Sequence, residues 1–112
     1  MLKTEISNGI IICSFDQVAR LNAVNAEKLK EEMYVNFQEP GTRIILDLGN
    51  ITFIDSMGFG ALISVFRKSR NNSGSFKICN IRPDVLRVFR LLQLHTVFEI
   101  HETREGCLDS FE

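Results

Sequence analysis

The chain has 112 residues, enough for one domain with a single core, and 45% of them are hydrophobic, nine being Phe. Thirteen basic and 14 acidic residues leave a net charge of −1, which excludes a general pull toward nucleic acid or anionic lipid. The longest apolar runs are a few residues, far short of the roughly 20 a membrane span needs, so no membrane insertion is expected. Met1-Leu2-Lys3-Thr4-Glu5 also turns polar and acidic too early for a secretory leader. Cys13, Cys79 and Cys107 are odd in number and widely spaced, which predicts buried, reduced thiols in a cytoplasmic protein. No close Cys or His pair points to zinc, and no cofactor is expected.

The chain opens with a hairpin: Lys3 to Ile6 and Ile10 to Phe15 flank Asn8-Gly9, a dipeptide suited to a type I′ turn. Ile10-Ile11-Ile12 is apolar on both faces, which places the second strand inside a sheet. Asn25 reads as a helix N-cap, followed by Ala26, Leu29, Met33 and Phe37 at helical spacing. Pro40-Gly41 ends that helix. Arg43 to Leu48 is a short buried strand, and Gly49-Asn50 turns the chain.

A second helix runs from near Ser56 to about Asn71 and is broken by Asn71-Asn72-Ser73-Gly74. Ser75 to Asn80 is a strand. Pro83 opens a third helix that turns Val85, Leu86, Phe89 and Leu92 inward. Val97 to Ile100 is a last strand and Thr103 to Phe111 a last helix. The order β-β-α-β-α-β-α-β-α predicts one α/β domain over residues 1–112. Its four- to five-stranded mixed sheet is mostly parallel, with an N-terminal hairpin and about four helices.

The segment Ile51 to Gly60 departs from this ordinary pattern. Ser56 stands where strand passes to helix, in N-cap position. Gly58 and Gly60 follow within the first turns, each costing roughly 1 kcal/mol against Ala in a helix interior. Either tight packing on the sheet or close approach of a partner to the backbone would account for them. The helix is also apolar on two sides. Phe59, Leu62, Ile63 and Phe66 make the core face, while Met57, Ala61 and Val65 lie roughly opposite and suggest a contact line beginning beside Ser56; the alternative is that loops or the next helix cover part of it, Val65 first. A phosphate on Ser56 would sit at a helix N-terminus, favoured by the dipole and opposed by Asp55.

At these residues the sequence resembles the STAS domain family, and within it the stand-alone bacterial anti-sigma factor antagonists. Ile54-Asp55-Ser56-Met57-Gly58-Phe59-Gly60-Ala61-Leu62 follows the family's Asp-Ser-x-Gly-x-Gly pattern. Arg20 to Ala26, Ile81 to Val85 and Val97 to Ile100 extend the match from about Lys3 to Phe111. The resemblance implies a non-enzymatic protein that, when unphosphorylated, binds an anti-sigma factor with serine kinase activity. Phosphorylation of Ser56 would switch it off, and a serine phosphatase would reset it. By position, Asp55, Met57, Gly58, Phe59, Gly60, Ala61 and Asn22 would form the partner-binding surface. Two positions depart from the family pattern: Asn22 where Asp is frequent, and Gln93 where Gly is frequent at the end of the third helix.

Two other readings compete. A STAS subunit of a membrane lipid or anion transport complex, never phosphorylated, would share the fold, but the intact Asp55-Ser56 favours the antagonist. An enzyme is disfavoured, because His95 and His101 lack a nearby nucleophile or metal-ligand pattern. Asp47 reads as a strand-end residue making local hydrogen bonds.

Overall fold

The structure, a computed structural model, describes residues 1–111. Strands β1 (Leu2–Ser7), β2 (Ile10–Phe15), β4 (Arg43–Asp47), β6 (Ser75–Cys79) and β7 (Glu99–His101) form one mixed sheet in the order β1-β2-β4-β6-β7. Only the β1–β2 pair is antiparallel. The others are parallel, with Ile12 beside Ile45 and Leu46 beside Ile78. Asn8 and Gly9 both adopt positive φ, 52° and 77°, the backbone a type I′ hairpin requires. A small second sheet pairs β3 (Arg20–Leu21) in parallel with β5 (Phe53–Ile54).

Helices α1 (Ala26–Tyr34), α2 (Ser56–Asn71) and α3 (Pro83–Leu91) supply one face of the main sheet, and α4 (Arg104–Asp109) packs on the other. Alternate strand residues therefore enter different clusters. Ile44, Leu46, Phe76 and Ile78 join the large core with Leu29, Met33, Leu62 and Phe89. Ile10, Ile45 and Cys79 meet Cys107 of α4 beneath the sheet. Edge-to-face ring contacts tie the large core together. Phe59 meets Phe89 at 5.1 Å, and Phe66, Phe76 and Phe89 all surround Phe98 at 5.6–6.2 Å, the arrangement aromatic quadrupoles favour.

The main elements stand where the hydrophobic periodicity places them, with three local differences. Leu92, expected to face inward, is half-exposed: α3 ends at Leu91, and Gln93 adopts φ 61°, so Leu92 no longer follows the helical spacing. The last strand and helix are also shorter than expected. Asn25 precedes α1 but does not cap it through its side chain. Its Oδ1 instead accepts from the Asn22 N–H and its Nδ2 donates to the Arg20 carbonyl, so it braces the loop between β3 and α1. All three cysteines are buried free thiols, and burial pushes the Cys13 thiol up to about 12.

Candidate functional site

Residue Ser56 opens α2, yet it is not the residue that caps it. Asp55 does: its backbone is extended at φ −95°, ψ −175°, and its Oδ1 accepts from the Gly58 N–H at 2.9 Å. Its carbonyl accepts from the Phe59 N–H. The expected assignment of the cap to Ser56 is thus off by one residue. Ser56 is the first helical residue and is exposed. Its own N–H and that of Met57 fall among the first-turn donors that lack an intrahelical acceptor.

The start of α2 is pinned to the small sheet. The Asp55 N–H donates to the Leu21 carbonyl at 3.0 Å. Gly58 is buried directly above, where a Cβ would lie 2.6 Å from that carbonyl oxygen and 2.8 Å from Ile54 Cγ2. Gly60 is exposed, and a Cβ there would meet nothing within 4 Å. The two glycines therefore answer the two explanations separately. Gly58 is required by packing of helix on sheet, whereas Gly60 has no intramolecular reason and leaves open backbone on the surface.

The exposed line Met57-Ala61-Val65 is not present. Met57 is 53% exposed, but Ala61 and Val65 are buried because α2 packs on α1 as well as on the sheet. Phe59 is also buried, held by Phe89. Of the expected surface residues, Phe59, Gly58 and Ala61 thus support the site from beneath and do not present side chains to a partner. Met57 and Gly60 face out, and Asp55 and Asn22 are half-buried. Asn22 Oδ1 accepts from the Val24 N–H at 3.0 Å, so this uncharged residue shapes the loop that follows β3.

Other apolar side chains are exposed on the segments that flank the start of α2, which the spacing along α2 could not reveal. Val24 is 92% exposed in the β3–α1 loop, and Phe53 of β5 is 44% exposed with the Arg20 guanidinium 5.1 Å from its ring centroid. Phe53 and Val88 of α3 line a shallow hollow with Thr52, Asp84 and Val85, floored by Ile54 and Phe59. The β3–β5 pairing, Arg20 beside Phe53 and Leu21 beside Ile54, joins these segments. One signal was legible: Val24 lies within Arg20 to Ala26, the segment that extends the resemblance upstream.

The sequence matches the STAS domain family over residues 1–107. The chain belongs to the STAS domain family. Among relatives of this STAS protein, BtrV of Bordetella bronchiseptica, provisionally named an anti-sigma factor antagonist, is 28% identical over 105 residues, 94% of this chain and 89% of BtrV. The anti-sigma-B factor antagonist of Bacillus subtilis is 26% identical over 86 residues, 77% of this chain and 78% of that protein. The STAS fold itself is matched by the structure of an anti-sigma-factor antagonist (STAS) domain protein from Planctomyces limnophilus. That match has a TM-score of 0.87 at 18% identity, over 99% of this chain and 97% of that one. Among the described residues no helix is long and apolar enough to cross a membrane.

Proposed function

We propose that this STAS protein is a cytoplasmic anti-sigma factor antagonist switched at Ser56. Unmodified, it binds an anti-sigma factor with serine kinase activity through the surface around Met57, Gly60, Val24 and Phe53. Phosphorylation of Ser56 by that partner ends the interaction, and a serine phosphatase restores it. The observation that carries this reading is the separation of tasks at the start of α2: Asp55 caps the helix, leaving the Ser56 hydroxyl exposed beside an apolar side chain and an open stretch of backbone.

A phosphate on Ser56 would add about −1.5 to −2 charges. The helix N-terminus favours an anion through its dipole and free N–H groups, while the Asp55 carboxylate opposes it. The fold would tolerate the modification. The complex would not, because burying the apolar surface would desolvate the new charge. The competing reading, an unphosphorylated subunit of a transport complex, shares the fold but gives an exposed acceptor serine no task.

Intact-mass measurement after incubation with the candidate kinase and ATP tests the assignment. One phosphate is expected on the native chain and none on Ser56→Ala, and equal phosphate on both would refute it. Ser56→Asp is expected to weaken binding to the anti-sigma factor, and undiminished binding would refute the switch.

A further inference from the structure

Strand β1 is an outer strand of the main sheet, and no strand among the described residues pairs beyond it. Its register shows which of its backbone groups are free. Ser7 and Ile10 flank the two-residue turn, so they form a hydrogen-bonded pair. In an antiparallel ladder such pairs alternate, so Lys3, Glu5 and Ser7 direct their N–H and C=O groups at β2, while Leu2, Thr4 and Ile6 direct theirs outward. Two contacts agree. The Met1 carbonyl accepts from the Asp16 N–H on the β2 side, and the Leu2 N–H reaches outward to Glu32 Oε1 at 3.1 Å.

The sequence of this edge is self-complementary. Leu2-Lys3-Thr4-Glu5-Ile6 reads apolar, basic, Thr, acidic, apolar about its centre. Lys3, Thr4, Glu5 and Ile6 are exposed, Glu5 while also pairing through Oε1 with Arg104 of its own chain, and Ile6, 75% exposed, is an apolar side chain without cover. We propose that β1 is an interface for a second copy of this chain, which adds antiparallel with Thr4 opposite Thr4, Lys3 opposite Glu5 and Leu2 opposite Ile6. Thr4 of each copy donates its N–H to the Thr4 carbonyl of the other. Ile6 donates to the Leu2 carbonyl, and Glu32 keeps the Leu2 N–H.

Only pairings that place outward-facing residues opposite one another make these bonds. Shifting the register by one such step sets Lys3 against Lys3 or Glu5 against Glu5, so charge selects the centred register. The arrangement is two-fold symmetric and consumes the edge it uses, so it closes at two copies.

The test uses Lys3→Glu and Glu5→Lys. Each variant alone sets like charges opposite one another at every Lys3–Glu5 pair, whereas an equimolar mixture of the two sets opposite charges. Sedimentation velocity over rising concentration is expected to show a dimer for the native chain. Association should be roughly tenfold weaker for each single variant and restored in the mixture. Thr4→Cys places two thiols across a hydrogen-bonded pair, where Cα atoms stand about 5.5 Å apart, within disulfide reach. Under oxidised glutathione it should cross-link as a dimer, while Lys3→Cys should not. A native chain that stays monomeric at all concentrations, or a mixture no more associated than its components, would overturn the proposal. Thermal midpoints of each variant separate lost association from lost folding, including loss of the Glu5–Arg104 ion pair that Glu5→Lys removes.

Discussion

Arg104 grips a single oxygen of Asp47: its Nε and Nη2 donate to Oδ2 at 3.1 and 3.0 Å. The other oxygen, Oδ1, accepts from the Gly49 N–H at 2.8 Å and from Asn80 Nδ2 at 3.1 Å. Asp47 thereby ties the end of β4 to its following turn, to the end of β6 and to α4. Partial burial alone would lower the Arg104 pKa, but its hydrogen bonds and charge pairing with Asp47, and with Glu5, raise it. Asp47→Ala would leave Arg104 Nε and Nη2 and the inner polar groups without their acceptor, with Glu5 still pairing the guanidinium. We expect a loss of about 3 kcal/mol, read as a lower urea midpoint, with α4 amides losing hydrogen-exchange protection first.

The two glycines of α2 predict opposite outcomes. Gly58→Ala drives a methyl into the Leu21 carbonyl and should destabilise by about 1–3 kcal/mol. Gly60→Ala meets open space and should raise stability by about 0.5–1 kcal/mol. If the partner closes on the backbone at Gly60, the same change weakens the complex. Thermal melts beside titration calorimetry with the anti-sigma factor check both halves.

Met57→Glu should weaken that complex with little change in thermal midpoint, because Met57 is exposed. Val24→Glu should do the same from the neighbouring loop. A large fall in midpoint for either would mean that the side chain packs within the domain.

Gln93 holds φ 61°, ψ 20° just after α3, a left-handed backbone that costs an ordinary residue about 1–2 kcal/mol. Gln93→Gly relieves the strain but frees the unfolded chain. A net gain of roughly 0.5–1 kcal/mol is expected in urea denaturation.

Acid stability should depend in part on Glu99. Partial burial pushes its carboxyl up, but hydrogen bonds from His101 at 2.7 Å and Lys77 at 3.0 Å outweigh that and leave it below its ordinary value of 4.5. A depressed carboxylate contributes stability that is present above its unfolded pKa and lost as pH falls through the folded one. Because Glu99 is half-exposed, the contribution is small. Glu99→Gln should lower the urea midpoint slightly at pH 7 and flatten its decline below about pH 4.

The strands of the main sheet, its hairpin and the extent of α2 were legible because each rests on local signals: short apolar runs, the Asn8-Gly9 turn, and the polar break that begins at Asn71. The surface around Ser56 was legible only in part. Helical spacing shows that a face is apolar but not what covers it, so Ala61 and Val65 read as exposed until α1 is seen against them. The two-residue strands β3 and β5 are too short to carry a pattern. Only their long-range pairing sets the segments that carry Val24 and Phe53 side by side. Asp55 and Ser56 are both good caps and stand side by side, so spacing alone does not tell which of them caps α2.

Asp55 has a consequence for how this position can change. Since the neighbouring carboxylate anchors the helix, the hydroxyl at Ser56 is a passenger of the fold. It can be removed, esterified or exchanged for another side chain, and α2 will still begin at the same residue. Loss of Ser56 should therefore leave a folded domain whose surface is locked in one condition, whereas loss of Asp55 should fray the platform itself.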